Sequence, residues 1–310
     1  MLGSLKPEGF LRPAKLGGVL DSVSHLLTDA DLTLGNLEGA LCDTGRTDKC
    51  PEDSLKCYAF RMPANYADQL AGAGFDMLSM ANNHAGDYGL DGIECTQHNL
   101  DRVGIAWSGV PESTADTVVN GLSVAFIAFH SGGFTNSSLD IESATAHVEK
   151  LDGLHDIVLV SVHGGAEGLR ALTLPDSMEY YLGEPRGHLI AFARHMVDAG
   201  ADLVFGHGPH VPRAAEIYGG RLIAYSLGNF ATYGRFNLQS IRRFGGILEV
   251  EMFADGSLST ARFLSVEQKY WGVPVPDPAH RFAMLVDSLS AADLPASGVD
   301  LAGDGQLTIP

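Results

Sequence analysis

From Asp31 onward, short apolar runs alternate with amphipathic stretches, the order expected of a layered α/β domain. The runs predict strands at residues 32–35, 77–80, 122–129, 157–162, 203–205, 222–225 and 247–253. Helical spacing falls between them. Residues 63–73 open with Pro63, residues 90–103 set Ile93, Leu100 and Val103 near one face, and residues 187–199 carry Leu189, Ile190, Phe192, Ala193, Met196 and Val197. From Gly206 to Val266 the helical period disappears, and strands broken at Gly219-Gly220 and Asp255-Gly256 predict a mostly antiparallel β region. Beyond Gly272 the prolines at 274, 276, 278 and 295 frame a helix near 278–291 and an extended end. This divides the chain into a main domain, 1–270, and a tail, 271–310, packed on it.

Composition narrows the function. With 45% apolar residues the chain can bury a substantial core. It carries 38 acidic against 20 basic side chains, a net charge of −18, and no basic run offsets that field, which argues against nucleic acid as a partner. No stretch approaches the roughly 18–20 apolar residues of a membrane span. Met1-Leu2-Gly3-Ser4-Leu5-Lys6-Pro7 lacks the charged and apolar regions of a signal peptide. Cys42, Cys50 and Cys57 share a polar segment, and Cys95 sits in a helical pattern. The Cys50 to Cys57 interval suits a small disulfide loop in an oxidising compartment. Free thiols and a metal remain the other readings.

The candidate chemistry lies directly after the apolar runs, where open α/β sheets gather their functional loops. Asn36-Leu37-Glu38-Gly39 follows the first run and Ala81-Asn82-Asn83-His84-Ala85-Gly86-Asp87 the second. His163-Gly164-Gly165-Ala166-Glu167, Gly206-His207-Gly208-Pro209-His210 and Ser226-Leu227-Gly228-Asn229-Phe230 follow later ones. Carboxylate, amide and imidazole without thiolate suit a borderline divalent cation, Mn, Fe or Zn. A single strand-end histidine is usually a hydrogen-bonded loop residue. His207 and His210, separated by a Gly-Pro turn, and Asn83-His84, behind a buried strand, carry the metal reading. The other histidines read as surface or core residues, with His130 at a strand end as an outside candidate.

These clusters, in this order, resemble the CapA family of poly-γ-glutamate capsule synthesis, within the calcineurin-like metallophosphoesterase superfamily. The matching pieces are NLEGAL at 36–41, SMANNHAGDYGLDG at 79–92, VHGGAE at 162–167, DAGADLVFGHGPHV at 198–211 and YGGRLIAYSLGNF at 218–230. The resemblance implies a four-layer αββα sandwich with a two-metal site at the strand ends. Glu38 looks like the bridging carboxylate, with Asn83, His163, His207 and His210 as further ligands. His84 would protonate the leaving group and Asp87 would orient it. Arg213 and Arg235 are candidate clamps for an anionic substrate, with Glu167 and Asn229 beside them.

The chain departs from that pattern at Gly208, where many relatives carry His, and at Gly164, where many carry Trp, a change expected to open the pocket wall. The family also begins with a strand ending in Gly-Asp shortly before Met-Leu-Gly, and this chain starts at Met1-Leu2-Gly3. On the resemblance, the first N-terminal strand and its aspartate ligand are absent, as from an internal start codon or a fragment. Two metals are expected with that aspartate restored and one without it.

The functional expectation is a metal-dependent hydrolase of a phosphoester, or of an amide in an anionic polymer such as poly-γ-glutamate. It would act in the periplasm or outside a bacterial cell. The competing expectation is a non-catalytic envelope assembly protein that binds polyglutamate or a capsule-synthase partner. Intact His84 and Asp87 favour the first and the missing aspartate favours the second.

Overall fold

The computed structural model describes residues 1–5, 10–50, 57–234 and 236–309. Among these residues the largest sheet has six strands, ordered Ala215–Tyr218, Arg221–Ala224, Leu203–His207, Ile157–His163, Leu122–His130, Ala115–Val119. The inner strands are parallel, and each edge strand is the antiparallel hairpin partner of its neighbour. Both hairpins turn on residues with positive φ, Asn120-Gly121 at 52° and 86° and Gly219-Gly220 at 56° and 79°. That is the backbone a type I′ turn requires.

The parallel strands are apolar on both faces because both are covered. Along Leu122–His130, Ala125, Ile127 and Phe129 join the core beneath helices Ile141–Asp152 and Leu189–Asp198. Val124, Phe126 and Ala128 point the other way, into a core shared with a smaller parallel sheet. That sheet is ordered Leu34–Asn36, Met77–Ser79, Ala106–Ser108. Leu78 on its far side packs with Tyr66, Leu70, Ile93 and Leu100, from helices Tyr66–Gly72 and Gly89–Arg102. The layers are therefore helix, sheet, sheet, helix, as the resemblance implied.

A third sheet, antiparallel, is ordered Phe244–Met252, Leu258–Lys269, Val273–Pro276. Helix Arg281–Asp293 sends Phe282, Ala283 and Val286 into the core between the sheets. Among the described residues, Leu34–Asn36 and Phe244–Met252 are edge strands. Both line one cavity of about 510 Å³, whose wall also includes Glu38, His207 and His210.

The strands run further than their apolar runs. They continue through His130, His163 and His207 because the parallel register pairs His130 with His163 and His163 with His207. Backbone ladders do not stop where side chains turn polar. Cys50 is bonded to Cys57, and Cys42 is bonded to Cys95, a partnership the sequence did not suggest. Among the described residues no helix is long and apolar enough to cross a membrane.

Candidate metal centre

The register just given sets three imidazoles side by side at the C-terminal edge of the large sheet. His130 Nδ1 donates to the His163 carbonyl at 2.6 Å, so it serves the architecture. His163 and His207 differ. Both ring nitrogens of His163 and Nε2 of His207 are buried with no hydrogen-bond partner. Past the Gly208-Pro209 turn, His210 adopts a φ of 56°, rare for a residue with a side chain. Its Nδ1 lies 2.9 Å from Asn229 Oδ1, which leaves Nε2 to face Glu38 Oε1 at 3.5 Å.

The opposing wall comes from the loops after the smaller sheet. Buried Asn82 ties them together, donating to Asn36 Oδ1 at 3.2 Å and to the Leu37 carbonyl at 2.9 Å, while accepting from the His84 amide at 3.1 Å. The loop that ends in Glu38 is thereby fixed against the one that carries Asn83 and His84. Glu38 Oε1 and Asn83 Oδ1 are also buried without a partner. Glu38, His163 and His210 each offer a ligand atom, all within 4.8 Å of one another. A buried polar atom with no partner costs about 1–3 kcal/mol, so several facing one point need something to bind. Oxygen and nitrogen donors without sulfur fit a divalent cation.

Local electrostatics prepare the donors. Burial, reinforced by neighbouring histidines and Arg186, holds His163 well below its ordinary pKa. Burial likewise pulls His207 to about 4, although Glu38 opposes it. Neutral imidazole is the form that ligates metal. Burial pushes the Glu38 carboxyl up, but His210, His84 and His207 oppose it, and Glu38 stays below the usual glutamate value.

His84 completes the rim. Its Nδ1 is 2.7 Å from Asp87 Oδ2, and its Nε2 is 3.9 Å from Glu38 Oε1. Asp87 is buried and also accepts from the Phe60 amide at 2.7 Å and from Lys49 Nζ. The carboxylate thus holds the ring with its far nitrogen directed at the centre. Phe60 lies against His84, with ring centroids 4.3 Å apart and the planes tilted by 42°.

The residues expected to bind substrate are placed less uniformly. Glu167 accepts from Asn83 Nδ2 at 3.4 Å and sits 3.2 Å from Arg186 Nη1; burial raises its carboxyl pKa despite the nearby His210 and Arg186. Asn229 orients His210, as described. Arg213 does not match the clamp expected of it. Its guanidinium is fully buried, bonded to both Glu179 oxygens at 2.7 Å and to the Ala171 carbonyl at 2.6 Å. Arg235 lies outside the described residues.

Gly164 does not open the wall either. A Cβ there would stand 2.8 Å from Leu189 Cδ2, so Leu189 already closes that side. Gly208, at φ 118°, lies so near Gly164 that a Cβ would come within 2.5 Å of the Gly164 carbonyl oxygen. Sequence reasoning missed Lys49, Asn82 and Arg186. Asn82 could have been found from its place between a buried strand and Asn83-His84. Lys49 reaches the rim from an irregular segment and Arg186 from a short strand, Glu184–Gly187, and neither stretch carries a periodic signal.

A model of the bacterial capsule synthesis protein PGA_cap family matches residues 11–233. The chain is 35% identical over 173 residues to the PGA biosynthesis protein CapA of Bacillus subtilis (strain 168), covering 50% of this chain and 42% of that one. To the capsule biosynthesis protein CapA of Bacillus anthracis it is 32% identical over 178 residues, 51% of this chain and 40% of that one. The matched region thus spans less than half the length of these two relatives. A hypothetical protein from Thermus thermophilus, known as a crystal structure, aligns with a TM-score of 0.43 at 21% identity, over 83% of this chain and 89% of that one.

Proposed function

The chain belongs to the bacterial capsule synthesis protein PGA_cap family, and from that premise we propose that it is a metal-dependent hydrolase. Its substrate is an anionic capsule-type polymer such as poly-γ-glutamate, cut at an amide, or a phosphoester. The observation that carries the reading is the convergence of buried atoms without partners, on Glu38, Asn83, His163 and His207, beside an ordered His84–Asp87 pair. Architecture alone does not leave such a set unmatched.

Glu38, His163 and His210 would hold one cation, and Asn83 and His207 extend the donor set toward a second. A bound divalent cation supplies Lewis acidity, polarising an electrophilic phosphorus or carbonyl group. Neutral His163 and His207 keep lone pairs available, and Asn229 fixes His210 in the tautomer that presents Nε2. His84, its Nδ1 held by Asp87, gives the proton at Nε2 to the leaving oxygen or nitrogen. Phe60, lying against the His84 ring, covers one side of that proton donor. Two disulfides, Cys42–Cys95 and Cys50–Cys57, support an oxidising location such as the cell envelope.

The test is metal per chain, measured after loading with Mn, Fe or Zn, alongside turnover of a chromogenic phosphodiester and a γ-glutamyl anilide. The expected result is bound metal, turnover of one substrate, and a loss of at least about a hundredfold in rate for His84→Ala with metal retained. Bound metal with no turnover of either substrate would replace this reading with an assembly role.

A further inference from the structure

The turn that joins Leu258–Lys269 to Val273–Pro276 presents two large aromatic rings to solvent. Tyr270 is 74% exposed and Trp271 71%. Both have positive φ, 48° and 73°, the backbone conformation a tight hairpin turn requires but one that bulky residues rarely adopt. The backbone is held in it from outside. The Gly234 amide donates to the Trp271 carbonyl at 2.9 Å, the Thr232 amide to the Gly272 carbonyl at 3.2 Å, and the Gly272 amide to the Lys269 carbonyl at 3.0 Å. The rings are therefore exposed on a fixed base, whereas an exposed ring without function is usually scattered and unconstrained.

These rings line an open groove of about 840 Å³ together with Phe236, Arg243 and Lys269. Phe236 is also the link to the metal centre. Its ring centroid is 5.5 Å from Phe60 and 6.2 Å from His210. One ring thus forms a wall of the groove and touches an imidazole of the centre. Two cations, Arg243 and Lys269, line the groove in a chain of net charge −18. Arg243 and Lys269 share one carboxylate, Glu267, at 3.5 and 3.3 Å, and that carboxylate already serves Arg281 at 2.9 Å. Both cations keep close to half their side-chain surface in solvent.

We propose that this groove is a subsite for an extended, carboxylate-bearing chain. Its acidic groups meet Arg243 and Lys269, and its amide planes and methylenes lie over Trp271 and Tyr270. Such a chain, passing Phe236, reaches the metal centre with one of its internal bonds. A single small anion would have no use for rings to one side of the centre, so the ligand is an oligomer. The proposal rests on the reading of the centre as one that acts on an anionic polymer.

The test is calorimetric titration of metal-free protein with a decamer of γ-linked glutamate, a neutral decamer of γ-linked glutamine, and a γ-linked glutamate dimer. Tryptophan fluorescence is followed in parallel, and Trp271→Phe separates the signal of Trp271 from that of Trp107. The acidic decamer should bind saturably and perturb Trp271. Trp271→Ala, and Arg243→Ala with Lys269→Ala, should each weaken it about tenfold, and added salt should weaken it progressively. The dimer should bind at least tenfold more weakly than the decamer. Wild-type affinity in both variants, or equal binding of the neutral decamer, overturns the subsite. Because binding is read without metal or turnover, a failed hydrolase assay leaves this result standing, and polymer cleavage with unchanged binding in Trp271→Ala defeats the subsite alone.

Discussion

His210 and Arg213 stand three positions apart in the chain, yet the two belong to buried polar clusters of opposite character. Around Arg213 the groups are matched. The guanidinium meets both oxygens of Glu179 and the Ala171 carbonyl, and Glu179 also accepts from the Ala166 amide at 3.0 Å. Around His210 the matching is incomplete, with Glu38 Oε1, Asn83 Oδ1, His207 Nε2 and both nitrogens of His163 left over. Burial and charge are common to both, so neither marks a site. The unmatched donors do, because a folded chain rarely leaves them without an outside partner.

The sharpest way to break this contrast is to unbalance the matched cluster. Glu179→Ala leaves Arg213 buried and uncompensated and should cost about 3–5 kcal/mol of stability, measured by urea denaturation. Metal per folded chain should not change. If that variant unfolded no more easily but lost metal, Arg213 would belong to the functional centre after all. The reverse change comes next. Glu38→Gln should leave metal-free Tm unchanged or slightly lowered, since its neighbours hold the carboxylate below the usual glutamate value, and should weaken metal binding by at least about a hundredfold, or about 2.7 kcal/mol. Metal titration followed by calorimetry measures both arms.

A smaller effect separates the ligands from the residue that aims them. Asn229 reaches the centre through His210 Nδ1. Asn229→Ala should therefore weaken metal affinity about 10- to 100-fold, with Asn229→Asp recovering most of the loss because it restores an acceptor to Nδ1. Equal affinity in the alanine variant would mean that His210 is held by its turn alone.

The contrast also explains what the chain disclosed in advance. The parallel strands were legible because, buried on both faces, they are continuous apolar runs, and the candidate cluster of Glu38, His163 and His210 was legible because its residues follow those runs directly. The ends of the strands were not, since the ladder runs on through His130, His163 and His207. The hairpin partner Ala115–Val119 went unread although Asn120-Gly121 announces its turn. Helix Ile141–Asp152 also went unread, although Asp140 caps it through the Ser143 amide and Ala144, Val148 and Leu151 mark its face. Arg213 was misread for a deeper reason. Its proximity to a histidine turn is local, but its partner Glu179 lies 34 residues away, and only the fold shows that the charge is already answered. The same holds for Arg186, which reaches Glu167 from a strand whose register shifts between Pro185 and Gly187.

The least effect is expected at Lys49, where the two kinds of cluster meet. Its ammonium touches Asp87 and lies 3.4 Å from His84 Nδ1, so it could be read as part of the acid. Yet its side chain is 38% exposed, and Asp87 keeps the Phe60 amide and His84 when Lys49 is removed. An exposed ion-pair partner is worth less than about 1 kcal/mol, which as a rate is under about fivefold. Lys49→Ala should therefore lower turnover by no more than that and leave metal affinity unchanged. Asp87→Asn, which leaves the carboxylate's place but not its charge, should cost at least about a hundredfold. A hundredfold loss in Lys49→Ala would show that the ammonium sets the protonation of His84, and the buried contacts of Asp87 would then be insufficient to define the proton donor.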